Sequence, residues 1–239
     1  ASEQAEINTA ISQAPSQTST AVTKMLTTIQ ALKARGQFVY SYLSVGSLET
    51  YREYYETFKD LALAPYENWA DEYWVDVTAP EWGEFIVGTL SRELAAKGVD
   101  GFFLDNFDVY GLYPSEATYD GLIRILQGLR EFDLPILING GDEFVTRLID
   151  EKRHALIDGV NQESVYTRVL DYDRDLFSAQ TPDDELYFRD YLARVKSVGL
   201  SVYLLEYSRD DELIAMIRKA TARDGYTVYV SSSLALDGD

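Results

Sequence analysis

Residues 98–110 read Gly98-Val-Asp-Gly-Phe-Phe-Leu-Asp-Asn-Phe-Asp-Val-Tyr110 and mark the passage from a helix to a buried strand. A glycine at the start of such a stretch is a typical left-handed helix end, and the apolar run at 99–104 is typical of a short strand. The run stops abruptly at Asp105, with Asp108 just beyond it. Carboxylates resist burial, and a strand end places its side chains above the sheet. We therefore expect a functional site at this strand end.

Helices and strands alternate along the rest of the chain. Four predicted helices end at a glycine, and a strand begins shortly after each of them. Alternation of this kind favours parallel strands joined by crossover helices. The seven predicted strands lie at residues 38–45, 73–77, 99–104, 134–138, 156–160, 200–205 and 226–230.

The alternation predicts an α/β fold of the (β/α)8 barrel type. A chain of 239 residues fits one such domain, which we expect to span residues 1–239. An eighth strand would have to lie in residues 1–20, which are loosely patterned and offer only a poor strand at 7–11. The barrel is therefore expected to be irregular or incomplete at its first strand. A doubly wound sheet is the alternative, but no Gly-x-Gly-x-x-Gly follows any predicted strand.

Composition excludes several classes of partner and chemistry. The formal net charge is −19, so nucleic acid and anionic membrane surfaces would be repelled. The chain has no cysteine, which excludes disulfides and thiol chemistry. No stretch approaches the roughly 18 apolar residues of a membrane span, and the sequence shown contains no signal peptide.

Acids and amides follow almost every predicted strand. Catalytic groups of α/β barrels lie at this end of the strands, so the side chains would meet on one rim. A single acid there is usually a helix cap, but several on one rim repel one another unless a function demands them. The residues are Glu49, Asp76, Asp105, Asp108, Asn139, Glu163 and Glu206.

Paired carboxylates that flank a glycosidic bond are the chemistry such a rim suits best. One carboxyl group must be protonated to donate to the leaving oxygen, and the other must be ionised. The single histidine, His154, excludes histidine-based metal sites and the Ser-His-Asp arrangement. The run Asp171–Asp175 has the spacing of a calcium loop but lacks its glycine, and Pro182 stands where its glutamate belongs. We expect neither a metal nor a cofactor.

Several motifs together resemble glycoside hydrolase family 114, the endo-α-1,4-polygalactosaminidases and related bacterial barrels. The motifs follow the family's order across residues 36–231, and the Asp-Gly-x-x-x-Asp-Asn-x-Asp run is the most specific. The resemblance implies a (β/α)8 barrel that cleaves α-1,4-linked galactosamine polymers outside the cell or at its surface. The matching segments are Tyr42-Leu-Ser-Val-Gly-Ser-Leu-Glu49 with Arg52, Trp74-Val-Asp76, residues 98–110, Asn161-Gln-Glu163 and Glu206-Tyr207.

The resemblance also implies roles for individual residues. Asp105 and Glu163 would form the catalytic pair, with Asp105 as nucleophile and Glu163 as general acid/base, or with the roles exchanged. The residues that would stack on sugar rings are Tyr110, Trp69 or Trp74. A polymer that carries free amines is cationic, which agrees with the acidic rim. The sugar subsites would be lined by Tyr42, Glu49, Asp76, Asn106, Asp108, Tyr110, Asn139, Glu206 and Tyr207.

Two other functions stay open at this point. The family usually begins with a clear apolar strand that ends in an acid, and residues 1–20 lack one. A carbohydrate-binding barrel that has kept the cleft and lost turnover is therefore the second hypothesis. A structural or metal-dependent acidic barrel is the third. Neither endo or exo cleavage nor retention or inversion at the anomeric carbon follows from the sequence.

Overall fold

The computed structural model describes residues 16–67 and 69–236. The weak strand expected at residues 7–11 lies outside them. Residues 16–20 were expected to be loosely structured but belong to a helix, α1 (Ser16–Ala34), which is the first in the described residues. The following helices are α2 (Tyr55–Phe58), α3 (Pro80–Phe85), α4 (Arg92–Ala96), α5 (Val109–Leu112), α6 (Glu116–Arg130), α7 (Asp142–Asp150), α8 (Pro182–Ser197) and α9 (Asp211–Asp224). A π-helical segment, Ile86–Ser91, joins α3 to α4.

Eleven strands occur in the described residues, and six of them form a central parallel sheet in the order β1-β5-β6-β7-β10-β11. Six of the seven predicted strands are in this sheet. The strands are β1 (Tyr40–Ser44), β2 (Ser47–Glu49), β3 (Ala62–Pro65), β4 (Glu72–Val75), β5 (Gly101–Asp105), β6 (Ile136–Asn139), β7 (Gly159–Glu163), β8 (Thr167–Asp171), β9 (Leu176–Ala179), β10 (Ser201–Tyr207) and β11 (Thr227–Ser231).

The seventh predicted strand does not join the parallel sheet. It forms β4, which runs antiparallel between β2 and β3 in a separate three-stranded sheet. Strand β1 therefore pairs directly with β5, with Tyr42 opposite Phe103. The architecture is that of an α/β barrel, but the sheet does not close among residues 16–67 and 69–236, because β1 and β11 form its two edges.

The core lies between the sheet and the helices that cross over it. Residues Phe102, Leu104 and Ile138 of the sheet are fully buried. Helix α6 shows how the sequence builds one covering layer. The hydroxyl of Ser115 caps its first turn by accepting the backbone N–H of Thr118 at 3.0 Å. Its apolar residues recur at helical spacing, and the stripe they form is buried: Leu122, Ile125, Leu126 and Leu129.

The stretch at 164–182, where no strand was predicted, contains an antiparallel hairpin of β8 and β9. The hairpin stands beside the carboxyl end of β10. It leads into α8, where the Thr181 hydroxyl accepts the backbone N–H of Asp184 and Pro182 occupies the first turn. In the described part of the chain, no helix is both long and apolar enough to cross a bilayer.

Candidate active site

A cleft of about 470 Å³ opens at the carboxyl ends of the parallel strands. Seven of the predicted site residues line it, together with the predicted stacking residue Trp69. The predicted seven are Tyr42, Asp105, Asn106, Asp108, Asn139, Glu163 and Tyr207. The residues that sequence reasoning missed are Tyr66, Glu72, Gly140, Gln162, Ser164, Val169, Tyr172, Leu234 and Leu236.

Asp105 and Glu163 are bridged by one amide. The Nδ2 atom of Asn139 donates to Oδ1 of Asp105 at 3.0 Å and to Oε1 of Glu163 at 3.1 Å. The two carboxylate oxygens are therefore separated by no more than the sum of these distances, about 6 Å. An sp² NH₂ group directs its hydrogens roughly 120° apart, so two well-aligned bonds place the oxygens about 5.3 Å apart.

The orientation of that amide is fixed from behind. Asn139 and Asn161 lie opposite each other in the β6–β7 pair, and Nδ2 of Asn161 donates to Oδ1 of Asn139 at 2.7 Å. The side-chain oxygen of Asn139 thus accepts a hydrogen bond from Asn161, and the NH₂ group of the same amide faces the two acids. The motif Asn161-Gln-Glu163 thus supplies both a catalytic candidate and the residue that orients the bridge.

Each acid also accepts a phenolic hydroxyl. Tyr42 donates to Oδ2 of Asp105 at 2.9 Å, and Tyr207 donates to Oε2 of Glu163 at 2.9 Å. Asp105 has a third donor, the backbone N–H of Asn106 at 3.0 Å. Burial raises the pKa of both carboxyl groups, and these hydrogen bonds oppose the rise because they favour the ionised forms.

Two further acids face the same cleft. Asp108 accepts the backbone N–H of Gly141 at 3.2 Å, and burial raises its pKa to about 6. Gly140 has a left-handed backbone (φ +64°) and lies against Asp108. A Cβ at this position would be 2.8 Å from an Asp108 carboxylate oxygen, so only glycine allows this close approach. Glu72 accepts the hydroxyl of Ser47, and burial raises its pKa as well.

Asn106 was predicted to bind sugar, but its amide is used within the protein. The side chain is buried, and Nδ2 donates to Ser47 at 2.7 Å and to Glu72 at 3.2 Å. Its backbone is left-handed (φ +67°) and lies against Gly46, where a Cβ would come within 1.8 Å of the Asn106 carbonyl oxygen. Asn106 therefore holds the turn that carries Asp105 and positions Glu72.

Three other predicted subsite residues lie outside the cleft. Glu49 is buried in an ion pair with Arg52, at 2.6 Å and 2.7 Å. Asp76 accepts the backbone N–H of Thr78 at 2.9 Å. The hydroxyl of Tyr110 accepts from Arg147 at 3.1 Å. Their side chains stabilise local structure, so we no longer propose sugar contacts for them. Trp74 is also buried, where Tyr66 stacks on it at 4.3 Å between ring centroids.

Glu206 is the fourth predicted subsite residue that lies outside the cleft, and it is fully buried. Its carboxylate accepts the backbone N–H groups of Val165, Tyr166 and Thr167 and the hydroxyl of Thr167, at 2.6 to 3.2 Å. Burial raises its pKa to about 7 against these four donors. Glu206 thus fastens the start of the β8–β9 hairpin to β10 and does not reach the cleft.

The sequence analysis did not predict Glu72 as a cleft residue, and the direction of β4 explains why. Because β4 is antiparallel, its first residue, Glu72, lies in the cleft, and Asp76, just beyond its end, lies outside it. The sequence does show an acid, Glu72, directly before the predicted strand at 73–77. If that strand is taken as parallel, Glu72 falls at the end of the strand away from the cleft. Among the residues the structure describes, no group of three or more histidine, cysteine, aspartate or glutamate side chains could hold a metal ion.

Comparison with known proteins gives one family and several similar folds. The sequence model of "Glycoside-hydrolase family GH114" matches residues 5–238. A variant of the PelA glycoside hydrolase domain from Pseudomonas aeruginosa is 22% identical, with 89% of this chain and 84% of that chain covered and a TM-score of 0.74. Ega3 from Aspergillus fumigatus, solved as a complex with galactosamine, is 18% identical, with coverages of 86% and 79% and a TM-score of 0.67. These likenesses show a shared barrel fold.

A curated relative comes from Deinococcus radiodurans and is described as an uncharacterized protein. It is 21% identical over 209 residues, which cover 82% of this chain. The match spans 65% of the length of that relative.

Proposed function

Because the chain belongs to glycoside-hydrolase family GH114, we propose that it hydrolyses α-1,4-linked galactosamine-containing polysaccharide with Asp105 and Glu163 as its catalytic pair. The observation that carries the proposal is the Asn139 bridge between the two carboxylates. One amide holds both acids in the cleft at the carboxyl ends of the parallel strands. The same chemistry would place the enzyme outside the cell or at its surface, where such polymers lie.

The spacing supports a retaining mechanism. Retaining glycosidases place their carboxyl groups about 5 to 5.5 Å apart, whereas inverting enzymes leave about 6.5 to 9.5 Å for a water molecule. The bridged oxygens are at most about 6 Å apart, and the amide geometry favours about 5.3 Å. This separation is close to the retaining spacing and below the inverting one, so direct attack by one carboxylate is favoured.

The hydrogen bonds support one assignment of roles. Asp105 accepts three donors and Glu163 accepts two, so the ionised form is better stabilised at Asp105. Asp105 would attack the anomeric carbon while Glu163 protonates the leaving oxygen. Glu163 would then remove a proton from the water that releases the sugar from Asp105. Burial keeps the pKa of Glu163 raised, as a general acid requires.

The charge of the cleft supports a cationic substrate. Four carboxylates line it, Glu72, Asp105, Asp108 and Glu163, and no lysine or arginine is among its described lining residues. Protonated amines of deacetylated galactosamine would relieve the repulsion between these acids. The related Ega3 structure holds galactosamine. Trp69 and Tyr172, each at least half exposed, are the aromatic surfaces on which sugar rings would stack.

The test is incubation of the purified protein with partially deacetylated α-1,4-galactosamine polymer, with the products measured by mass spectrometry and their anomeric form by NMR. We expect oligosaccharides that first appear as the α-anomer. Asp105→Asn and Glu163→Gln should lower turnover by roughly 10³-fold or more. The exposed carboxylates Asp120 and Glu131 supply the matched controls Asp120→Asn and Glu131→Gln, which should be fully active. No product from folded wild-type protein, or first formation of the β-anomer, would refute the respective part of the proposal.

A further inference from the structure

The cleft has two chemically different sides, and the strand order fixes them. Tyr42 and Asp105 lie on β1 and β5, Asn139 on β6 and Glu163 on β7. Asn106 brings Glu72 to the Asp105 end of this row. Beyond Glu163 come Tyr207 on β10 and the segment that follows β11. The acids other than Glu163 are therefore collected on the Asp105 side of the cleft.

The opposite side is an apolar wall, made of Val169, Tyr172, Leu234 and Leu236. Leu236 is 47% exposed and Tyr172 is 50% exposed, although both lie in a cleft whose other lining is mostly polar. Exposed apolar side chains that come together in this way usually mark a binding surface. No carboxylate among the described lining residues belongs to this wall.

The apolar wall is held in place by polar contacts behind it. The backbone N–H of Leu234 donates to Oδ1 of Asp175 at 3.1 Å. Arg209 donates through Nε to the carbonyl oxygen of Ser232 at 2.9 Å and pairs with Asp175 at 3.5 Å. The segment after β11 is thus tied to the β8–β9 hairpin, so Leu234 and Leu236 share one surface with Val169 and Tyr172.

The apolar wall adjoins the general acid. Phe177 of the hairpin stacks on Tyr207, with 5.6 Å between ring centroids, and Tyr207 donates to Glu163. A general acid protonates the leaving oxygen, so the leaving sugar lies on its side of the scissile bond. The sugar beside the apolar wall is therefore the one that departs.

From this arrangement we propose that the apolar wall binds the acetamido methyl group of an N-acetylgalactosamine residue on the leaving-group side of the cleaved bond. The inference rests on the proposed function and adds a position-dependent preference to it. An acetamido group gains from burying its methyl group there. A protonated amine at the same place would be desolvated without a carboxylate partner of its own on the wall.

The experiment uses randomly re-N-acetylated galactosamine polymer, digested by the whole protein in water enriched in ¹⁸O. Hydrolysis marks each new reducing end with ¹⁸O, so tandem mass spectrometry identifies the residues on both sides of every cut. Burial of one methyl group predicts about fourfold enrichment of N-acetylgalactosamine at the new non-reducing ends. The variants Leu234→Ser and Leu236→Ser should bring this enrichment down toward the average of the polymer.

Two further variants separate the preference from folding. Leu186→Ser removes a comparably exposed leucine from α8, outside the cleft, and should keep the enrichment. Asp175→Ala frees the wall segment without altering an apolar side chain and should reduce the enrichment. New non-reducing ends that match the polymer average in the wild type would overturn the inference while leaving hydrolysis established. Enrichment unchanged in both leucine variants would also overturn it. The absence of any product would instead refute the proposed function on which it rests.

Discussion

Glu163 and Glu206 lie on neighbouring strands of one sheet, and burial raises the pKa of both carboxyl groups, although Glu163 is half-buried and Glu206 is fully buried. Their surroundings differ. Glu163 accepts two side-chain donors, Asn139 and Tyr207, and faces the cleft. Glu206 accepts three backbone N–H groups and one hydroxyl and is 0% exposed.

A raised pKa therefore marks burial here and does not by itself mark catalysis. What distinguishes Glu163 is that space for a substrate lies beside it and that its partners are side chains on other strands of the same sheet. Backbone donors hold Glu206 as part of the hairpin's anchor. The two glutamates provide an internal test, because one substitution should affect chemistry and the other should affect stability.

The largest expected effect is a contrast between two substitutions. Glu163→Gln should mainly lower turnover, whereas Glu206→Gln should mainly lower the free energy of unfolding. The first should abolish most turnover with little change in Tm, because an amide cannot donate the catalytic proton but keeps the size of the side chain at a site with no ion pair. The second turns an NH₂ group toward backbone donors and should cost about 2 to 4 kcal/mol of unfolding free energy. That loss corresponds to a fall in Tm of roughly 5 to 15 °C, measured by thermal denaturation beside kcat.

The comparison fails if Glu206→Gln melts like the wild type but loses turnover. Glu206 would then take part in the reaction, and its burial would not mark it as a residue that only stabilises the fold.

The sequence predicted most of the sheet because helix ends and apolar runs are local signals. Residues 101–105, 136–139 and 159–163 are strands close to where the pattern placed them. The acids at two of these strand ends meet in the cleft, since parallel strands share one carboxyl edge. The local signal thus located Asp105 and Glu163 and the amide of Asn139.

The face of a strand on which a residue lies was harder to predict. Side chains alternate, so Glu206 and Tyr207 point to opposite faces of β10. Leu205 lies opposite Glu163 in the β7–β10 pair, which puts Tyr207 on the face of Glu163 and Glu206 on the other. That register depends on long-range pairing, and no local pattern contains it. The antiparallel course of β4, which exchanges Glu72 for Asp76 at the cleft, is non-local for the same reason.

A smaller expected effect is on the pH dependence of kcat/KM, which should respond differently to the loss of a hydrogen bond at each catalytic acid. Tyr42→Phe removes a donor that lowers the pKa of Asp105, so that pKa should rise. Because a nucleophile acts when ionised, the acidic limb of the kcat/KM profile should move to higher pH. Tyr207→Phe should likewise raise the pKa of Glu163. Because a general acid acts when protonated, the alkaline limb should move to higher pH instead.

Each shift should be about half a unit to one unit, since one hydrogen bond contributes about 1 kcal/mol and one pKa unit equals 1.36 kcal/mol. Tyr42→Phe should therefore narrow the profile, and Tyr207→Phe should widen it. The opposite pattern would assign Asp105 as the acid and Glu163 as the nucleophile.

The smallest expected effect concerns Tyr110, which the sequence pattern placed in a subsite and the structure places outside the cleft. Its hydroxyl accepts from Arg147, and its ring packs on Phe144 and Tyr119. Tyr110→Phe keeps the ring and loses one partly exposed hydrogen bond. It should therefore change kcat/KM by less than about twofold and the unfolding free energy by about 1 kcal/mol or less. Tyr207→Phe makes the same chemical change inside the cleft and is its comparison. A loss of kcat/KM in Tyr110→Phe as large as in Tyr207→Phe would mean that position relative to the cleft does not decide function. The distinction drawn between Glu163 and Glu206 would then fail with it, because both rest on that same criterion.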